Sequence, residues 1–545
     1  MTPQQLGLPA KFKQFNHYQF DAIQHTVEAF GNGTRFVSHC IPVGGGKTGV
    51  GVGVGMWLKL ATLINRFAYV TPGKALQDQV VNDFGSVHVT DTRIVDMRGR
   101  DNYKCSKEDK SHAAYQRTCK QMEKRCHYTA ATELPIRNKC PYRYAQFVAA
   151  TSPQFSTNYA YWLSRGYDSI AGPDNPVGLL VCDEAHHIED TLTNALTGEL
   201  FGAYQEDARI LDLDAGYVRT LSDKKPDELG KLAGKALQHV KARLEDGGYY
   251  DDDDRQYIQD TELLDRLFKV SRASDGNFVI DKDKEGTFLF QPVWVGKYAE
   301  SMWRNVPYVL LMSGTINHFT HKYLGLKKDS VDHTDWPYVF DASRSPIYWV
   351  KTASMTDRDV KHNPSNVNVW LSRFSQIAGS RMEAGRSGIF HTVSFERAKL
   401  VVKEYTRKYG NKLITNLEQT TAKMIKEYTD RAAKGEGVCM ISPSITTGLD
   451  LPNDLCRFNI VGKVPFEASK TPLMQARRDQ DRMYNSVRAS NTFHQMIGRS
   501  TRNAQDWCEN FVIDDSIGWF TKQGLMQKWC YVRPVPGVPK LLEVD

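Results

Sequence analysis

The chain carries Gly44-Gly45-Gly46-Lys47-Thr48 near its start and an apolar run ending in Asp183-Glu184-Ala185-His186 much later. Four cysteines, Cys105, Cys119, Cys126 and Cys140, lie between the two. That order constrains the fold more than any single part. Glycines before Lys-Thr let backbone N–H groups close around a phosphate, and a helix beginning there adds positive potential. Both motifs need a strand in front of them, so their ligand site belongs at the carboxyl ends of parallel strands. The cysteine segment then has to be an insertion between the two halves of one nucleotide site.

With 545 residues the chain is too long for one core, so two or more domains are expected. A hydrophobic fraction of 41% and a charged fraction of 24% suit a globular protein. The N-terminus lacks the basic start and apolar run of a signal peptide. The most apolar stretch, 49–64, is Gly/Val-rich and carries Lys59, which reads as a buried helix after the phosphate loop rather than a membrane span. No membrane association is expected. A net charge of +7 is compatible with a nucleic-acid partner without establishing one. Ten cysteines without a secretion signal point to a reducing, cytoplasmic setting. Cys40, Cys182, Cys439, Cys456, Cys508 and Cys530 are read as thiols with no chemical role.

Short apolar runs alternate with helical patterns, which predicts an α/β fold with parallel sheets. Strands are expected at 36–41, 67–70, 178–182, 308–312, 387–391, 437–441, 458–461 and 510–513. Two insertions break the alternation. One, about 93–150, holds the four cysteines. The other, 206–288, has apolar residues at helical spacing, with the acidic run Asp251-Asp252-Asp253-Asp254 between two helices. That run is read as a solvated loop. Near 337–346 the chain should enter a second domain.

Lys47 is placed to reach the β- and γ-phosphates of ATP, and Thr48 to ligate Mg²⁺. Asp183 would hold Mg²⁺ through water, and Glu184 would polarise the attacking water. His186 is placed to sense the γ-phosphate. Late in the chain, His494-Gln495-Met496-Ile497-Gly498-Arg499-Ser500-Thr501-Arg502 puts two arginines three apart, a spacing that shares a helix face. Arg502 is assigned as the arginine finger, with Arg499 beside it on the γ-phosphate.

This ordered set resembles the superfamily 2 helicases of the DEAH-box kind. The resemblance implies two RecA-like domains clamping ATP. Tyr18-Gln19 resembles the adenine-reading region, so Gln19 joins Gly44, Gly45 and Gly46 as a nucleotide contact. Thr71-Pro72-Gly73-Lys74-Ala75-Leu76 with Gln79 resembles the motif that grips the nucleic-acid backbone, and Ser313-Gly314-Thr315 the motif that couples hydrolysis to domain movement. Gly388–Phe395 resembles the opening of the second RecA domain. Thr446-Thr447-Gly448-Leu449-Asp450 resembles the motif that touches nucleotide and strand, which assigns Asp450 to the nucleotide. Gln495 belongs to the catalytic set on the same ground. The chain departs from the family at Thr447, usually acidic, and at Ser313-Gly314-Thr315, more often Ser-Ala-Thr.

The cysteines are separated by thirteen, six and thirteen residues, with no close pair. Structural zinc sites are usually built from close pairs, so zinc is disfavoured. Thiolates suit a 2Fe–2S or a 4Fe–4S cluster, and spacing does not choose between them. Free thiols without a ligand are the remaining alternative. The edges Arg98-Gly99-Arg100-Asp101-Asn102-Tyr103-Lys104-Cys105 and Cys140-Pro141-Tyr142 resemble the iron–sulfur domain of XPD/DinG-type (Rad3-related) helicases. That resemblance implies a 4Fe–4S cluster on Cys105, Cys119, Cys126 and Cys140, 5′→3′ movement on single-stranded DNA, and a helical arch at 206–288. Between Asp101 and Tyr144 ten Lys/Arg face five Asp/Glu, interleaved with tyrosines, a composition suited to phosphates and bases.

The expected domains are RecA-like domain 1 in three parts (1–92, 151–205, 289–340), the cluster domain (93–150), the arch-like insertion (206–288) and RecA-like domain 2 (341–545). The expected activity is an ATP-dependent DNA helicase acting on single strands and on forked or tailed duplexes. The alternative is a DNA translocase that displaces R-loops or proteins without processive unwinding. A monomer in a bacterial or virus-infected cell, working with replication or repair proteins, completes the expectation.

Overall fold

The computed structural model describes residues 1–85, 94–103, 140–166, 170–200, 225–246, 254–443, 451–467, 471–498, 501 and 503–543. The chain forms β1 (Phe36–Cys40), β2 (Phe67–Thr71), β3 (Val95–Asp96), β4 (Gln154–Asn158) and β5 (Leu179–Asp183). Next come β6 (Gly198–Leu200), β7 (Phe278–Lys282) and β8 (Phe288–Pro292), then β9 (Tyr308–Ser313) and β10 (Val331–Asp335). One seven-stranded parallel sheet runs β10-β1-β9-β5-β2-β4-β3. After Asp335 the chain crosses to a second sheet, built from β11 (Ile347–Val350), β12 (Gly388–His391), β13 (Leu413–Thr415), β14 (Cys439–Ser442), β15 (Phe458–Val461), β16 (Glu509–Val512) and β17 (Val532–Val535). Its order is β13-β14-β12-β15-β16-β11-β17, again parallel. The fold is therefore the expected α/β architecture with two RecA-like sheets.

The central strands β1, β2, β5, β12, β14 and β15 are buried at every position, as parallel strands covered on both faces must be. The expected strands appear within a residue or two of their sequence positions. β4 (Gln-Phe-Ser-Thr-Asn) and β10 (Val-Asp-His-Thr-Asp) are too polar to show as apolar runs, and only the sheet reveals them. The stretch after the phosphate loop is the expected buried helix, Lys47–Leu60. Alternating glycines cost helix propensity, about 1 kcal/mol each relative to alanine. Their use is close approach. A Cβ on Gly51 would meet Val181 and Met312 at 2.7 Å, and one on Gly55 would meet the Phe67 ring at 2.8 Å. Bare backbone lets this helix lie hard on the sheet that carries the acidic pair.

The helices Pro226–Glu245 and Asp254–Ser271 pack through Leu229, Val240, Leu263 and Leu267. They share that core with Leu200, Phe288 and Phe290 of the antiparallel sheet β6-β8-β7. The helices match the sequence reading of 206–288, whereas the small sheet beside them has no periodicity strong enough to announce it. Asp251, Asp252 and Asp253 lie outside the described residues. Cys40, Cys182, Cys439, Cys456, Cys508 and Cys530 are buried and form no disulfide, which makes them packing residues. Among the described residues no helix is long and apolar enough to cross a membrane.

The second domain has a buried charge pair at its centre. Arg381, 1% exposed, reaches the fully buried Glu509 at 2.6 Å, and Arg386 adds a second contact at 3.1 Å. Deleting Glu509 would leave Arg381 as an uncompensated buried charge, a loss of about 3–5 kcal/mol. Glu509→Ala should therefore lower the unfolding free energy of the second domain, read from urea denaturation, by that amount, whereas a change under about 1 kcal/mol would show that the pair is dispensable.

Candidate active site at the domain interface

The phosphate loop bridges β1 and the helix Lys47–Leu60. Gly46 is its N-cap at φ +75°, a left-handed conformation that glycine adopts without strain, and no side chain caps the helix. The first-turn N–H groups are thus left for an anion. Gln19 donates from Nε2 to the Gly46 carbonyl at 3.1 Å, and its Oε1 accepts from the Asn16 N–H at 2.7 Å. The residue expected to read adenine is held against the loop itself. Crowding explains Gly44 and Gly45 as well: a Cβ on the first would strike the Phe340 ring, and one on the second the Tyr18 hydroxyl and Ile41.

β5 delivers Asp183 and Glu184 beside this loop. Lys47 Nζ lies 3.2 Å from Glu184 Oε1. Glu184 sits at φ +49°, a strained backbone for a non-glycine residue and a common mark of a functional turn. Burial alone would raise its pKa, but the Lys47 ammonium and the hydrogen bond from Ser313 outweigh that and hold the carboxyl ionised. Asp183 is the opposite case. Burial, helped by the Glu184 charge, pushes its pKa up to about 6, against the pull of Lys47. Two adjacent carboxylates are thus driven apart, one kept charged and one short of positive charge.

A hydrogen-bonded chain joins the second domain to Glu184. Gln495 Nε2 contacts His186 Nε2, and because an amide N–H₂ only donates, His186 must carry its proton on Nδ1. His186 Nδ1 then donates to Ser313 Oγ at 2.6 Å, and Ser313 donates to Glu184 Oε2 at 3.0 Å. The Ser313 oxygen also accepts from the Thr315 N–H at 3.1 Å, so each of its hydrogen-bonding positions is used. Burial keeps His186 neutral, as this tautomer requires.

Four sequence-derived residues, Lys47, Glu184, His186 and Gln495, therefore meet in one network. Thr48 and Asp183 flank it, with the buried Tyr69 hydroxyl set against both and lacking a partner of good hydrogen-bond geometry. That polar pocket between a hydroxyl and a cation-poor carboxylate fits Mg²⁺ held by Thr48 and Asp183. Arg499, Arg502 and Asp450 lie outside the described residues, and the helix carrying Gln495 ends at Ile497. Cys105, Cys119 and Cys126 lie outside them too. Cys140 is a half-buried thiol at the N-cap position of the helix Pro141–Thr151, without a side-chain hydrogen bond to it, and packs on the core of the first domain. Among the described residues no group of three or more metal-ligating side chains is found.

The sequence reading missed the residues that dock the domains. Arg477, 3% exposed, donates to the Val293 carbonyl at 2.7 Å, Tyr484 Oη at 2.6 Å and Thr193 Oγ1 at 2.9 Å, with Glu189 at 3.2 Å. Arg488 bridges Asp190 at 2.8 Å and Glu467 at 2.9 Å. Glu189 and Asp190 follow the acidic tetrad after His187 and Ile188, and that proximity was the available signal. Nothing in Arg477 or Arg488 as residues announces their partners across the interface.

A prediction follows from Asp183. Its pKa is higher folded than unfolded, so its ionisation opposes folding once the pH exceeds the usual carboxylate range, and fully above about 6. Asp183→Asn should raise the Tm at pH 8, and the advantage should shrink as pH falls from about 6 towards 4. A lower Tm at pH 8 would mean that the carboxylate stabilises the fold.

A family model described as the helicase C-terminal domain matches residues 382–532, and one described as the type III restriction enzyme res subunit matches residues 12–215. None of the curated proteins matches the chain by sequence. Among solved structures, an XPD helicase superposes with a TM-score of 0.58 at 13% identity, covering 96% of this chain and 100% of that one. S. tokodaii Xpd4 superposes with a TM-score of 0.55 at 13% identity, covering 95% and 100%. An apo XPD structure gives 0.56 at 14% identity, covering 95% and 100%. Identity this low speaks for fold, and the two family models speak for the domains. Together they show a chain with the fold of the XPD helicases, whose second domain matches the helicase C-terminal domain.

Proposed function

We propose that the protein is an ATP-dependent DNA helicase that moves 5′→3′ along single-stranded DNA and parts duplex DNA against its cysteine-bearing segment. The observation that carries this reading is the chain from Gln495 through His186 and Ser313 to Glu184 and Lys47. A base assembled from one domain and oriented by the other works only when the domains are docked. Hydrolysis is thereby tied to their relative position, which is what a motor requires.

Lys47 neutralises the transferring phosphate, and Glu184, kept ionised, accepts a proton from the attacking water. Mg²⁺, when bound at Thr48 and Asp183, supplies charge to the β- and γ-phosphates. Arg499 and Arg502, just past the Gln495 helix, are assigned to the γ-phosphate from the second domain. Gln19 reads the base, and Asp450 completes the nucleotide contacts. Cys105, Cys119, Cys126 and Cys140 are assigned to a 4Fe–4S cluster whose role is to staple a small domain that lacks a core of its own. The basic, tyrosine-rich composition of that segment supports contact with single-stranded DNA and with forked or tailed duplexes.

The decisive experiment compares matched 5′- and 3′-tailed duplexes with anaerobically purified protein. Unwinding is expected of the 5′-tailed substrate only, and preference for the 3′ tail would overturn the polarity. Lys47→Ala and Glu184→Gln should abolish ATP turnover while the fold stays intact, and undiminished turnover in either would sink the hydrolytic assignment. Cys105→Ser should lose unwinding before ATP hydrolysis, whereas equal loss of both would contradict the wedge role.

A further inference from the structure

Gln495 is one of two amides that the second domain extends towards Ser313. The other is Gln527, in the segment between the helix Tyr484–Ile497 and β17. This segment is fastened to the helix at two points. Ser490 Oγ donates to the Leu525 carbonyl at 2.8 Å, and the Gln527 N–H donates to His494 Nε2 at 3.0 Å. His494 can accept there because its Nδ1 hydrogen goes to the Ser490 carbonyl at 2.7 Å. The Trp529 indole N–H holds Gln527 Oε1, and the Trp529 ring stacks on Tyr338 of the interdomain linker at 4.7 Å. With its oxygen pinned, the Gln527 amide must point its N–H₂ group at the first domain. There it donates to the Gly314 carbonyl and lies 3.4 Å from Cys40 Sγ.

The Gly314 carbonyl and the Thr315 N–H belong to one peptide unit, and a peptide unit is rigid and planar. Gln527 holds its oxygen end, while its N–H end donates to Ser313 Oγ at 3.1 Å. Ser313 in turn orients Glu184. We propose that Gln527 is a positioning residue that ties the Gly314–Thr315 peptide, and through it Ser313 and Glu184, to the docking of the second domain. The second domain then acts on the carboxylate twice, through the His186 ring and through this peptide. Both contacts are lost when the domains part, which makes the alignment of Glu184 depend on closure. The inference rests on the ATP-hydrolysing reading of the site.

The test measures single-strand-stimulated ATP turnover in Gln527→Ala and Gln527→Glu, alone and in the Ser313→Ala background. The glutamate keeps the shape but has no N–H to offer Gly314. Each single variant should lower kcat by about tenfold, the scale of one lost hydrogen bond to a buried group, with KM for ATP within about twofold. In the Ser313→Ala background the same substitutions should lower kcat no further, because their route to Glu184 is already cut. Unchanged kcat in the single variants overturns the proposal, and so does a full additional loss on top of Ser313→Ala. A fall in kcat matched by a rise in KM and a drop in Tm overturns it as well, leaving only a structural brace. If Gln527→Ala does not fold, Gln527→Met keeps the stem without the donor and is held to the same outcomes. A wild-type protein without ATP turnover defeats the hydrolytic reading and this inference with it, a result distinct from all the others.

Discussion

The arrangement depends on keeping one buried carboxylate, Glu184, ionised. It is stabilised by the ammonium of Lys47 and the hydroxyl of Ser313. Each is supplied by a different strand end. β1 leads into the loop that carries Lys47, β5 presents Glu184 on a strained turn, and β9 ends in Ser313. The order β1-β9-β5 puts these ends side by side. Parallel pairing turns sequence-distant motifs into neighbours, and the tight seat of the Lys47–Leu60 helix on Val181 and Met312 fixes their spacing.

The second domain completes this network while the ammonium and the carboxylate both come from the first. Its contribution is orientation, passed through groups whose hydrogen-bonding capacity is full. Ser313 uses its one donor and both acceptor positions, and His186 is confined to one tautomer by Gln495. A filled network has few alternative geometries, so a small shift between domains must break bonds rather than stretch them. Arg477 and Arg488 hold the docked state nearby, on Glu189 and Asp190, one turn beyond the acidic tetrad. Charge pairs between domains, set so close to the reacting groups, make the docked geometry specific and still reversible.

Much of this was legible in the residues. Gly46-Lys47-Thr48 and Asp183-Glu184 announce themselves because phosphate binding demands small residues, a cation and carboxylates at fixed positions after strands. The central strands showed as apolar runs because both their faces are buried. β4 and β10 did not, since a polar strand at or near a sheet edge reads like a loop. The small antiparallel sheet β6-β8-β7 escaped notice for a similar reason. Its strands are short, and they are joined across the helical insertion.

Fold class, the phosphate-loop motif and the acidic pair are readable from the residues alone. All of these are set by local chemistry and by spacing along the chain. How the parts communicate emerges only on folding. Gln495, Gln527, Arg477 and Arg488 are ordinary polar residues until folding carries them across the interface. Their partners lie hundreds of positions away in the chain, and a hydrogen bond's worth depends on geometry that no linear pattern encodes.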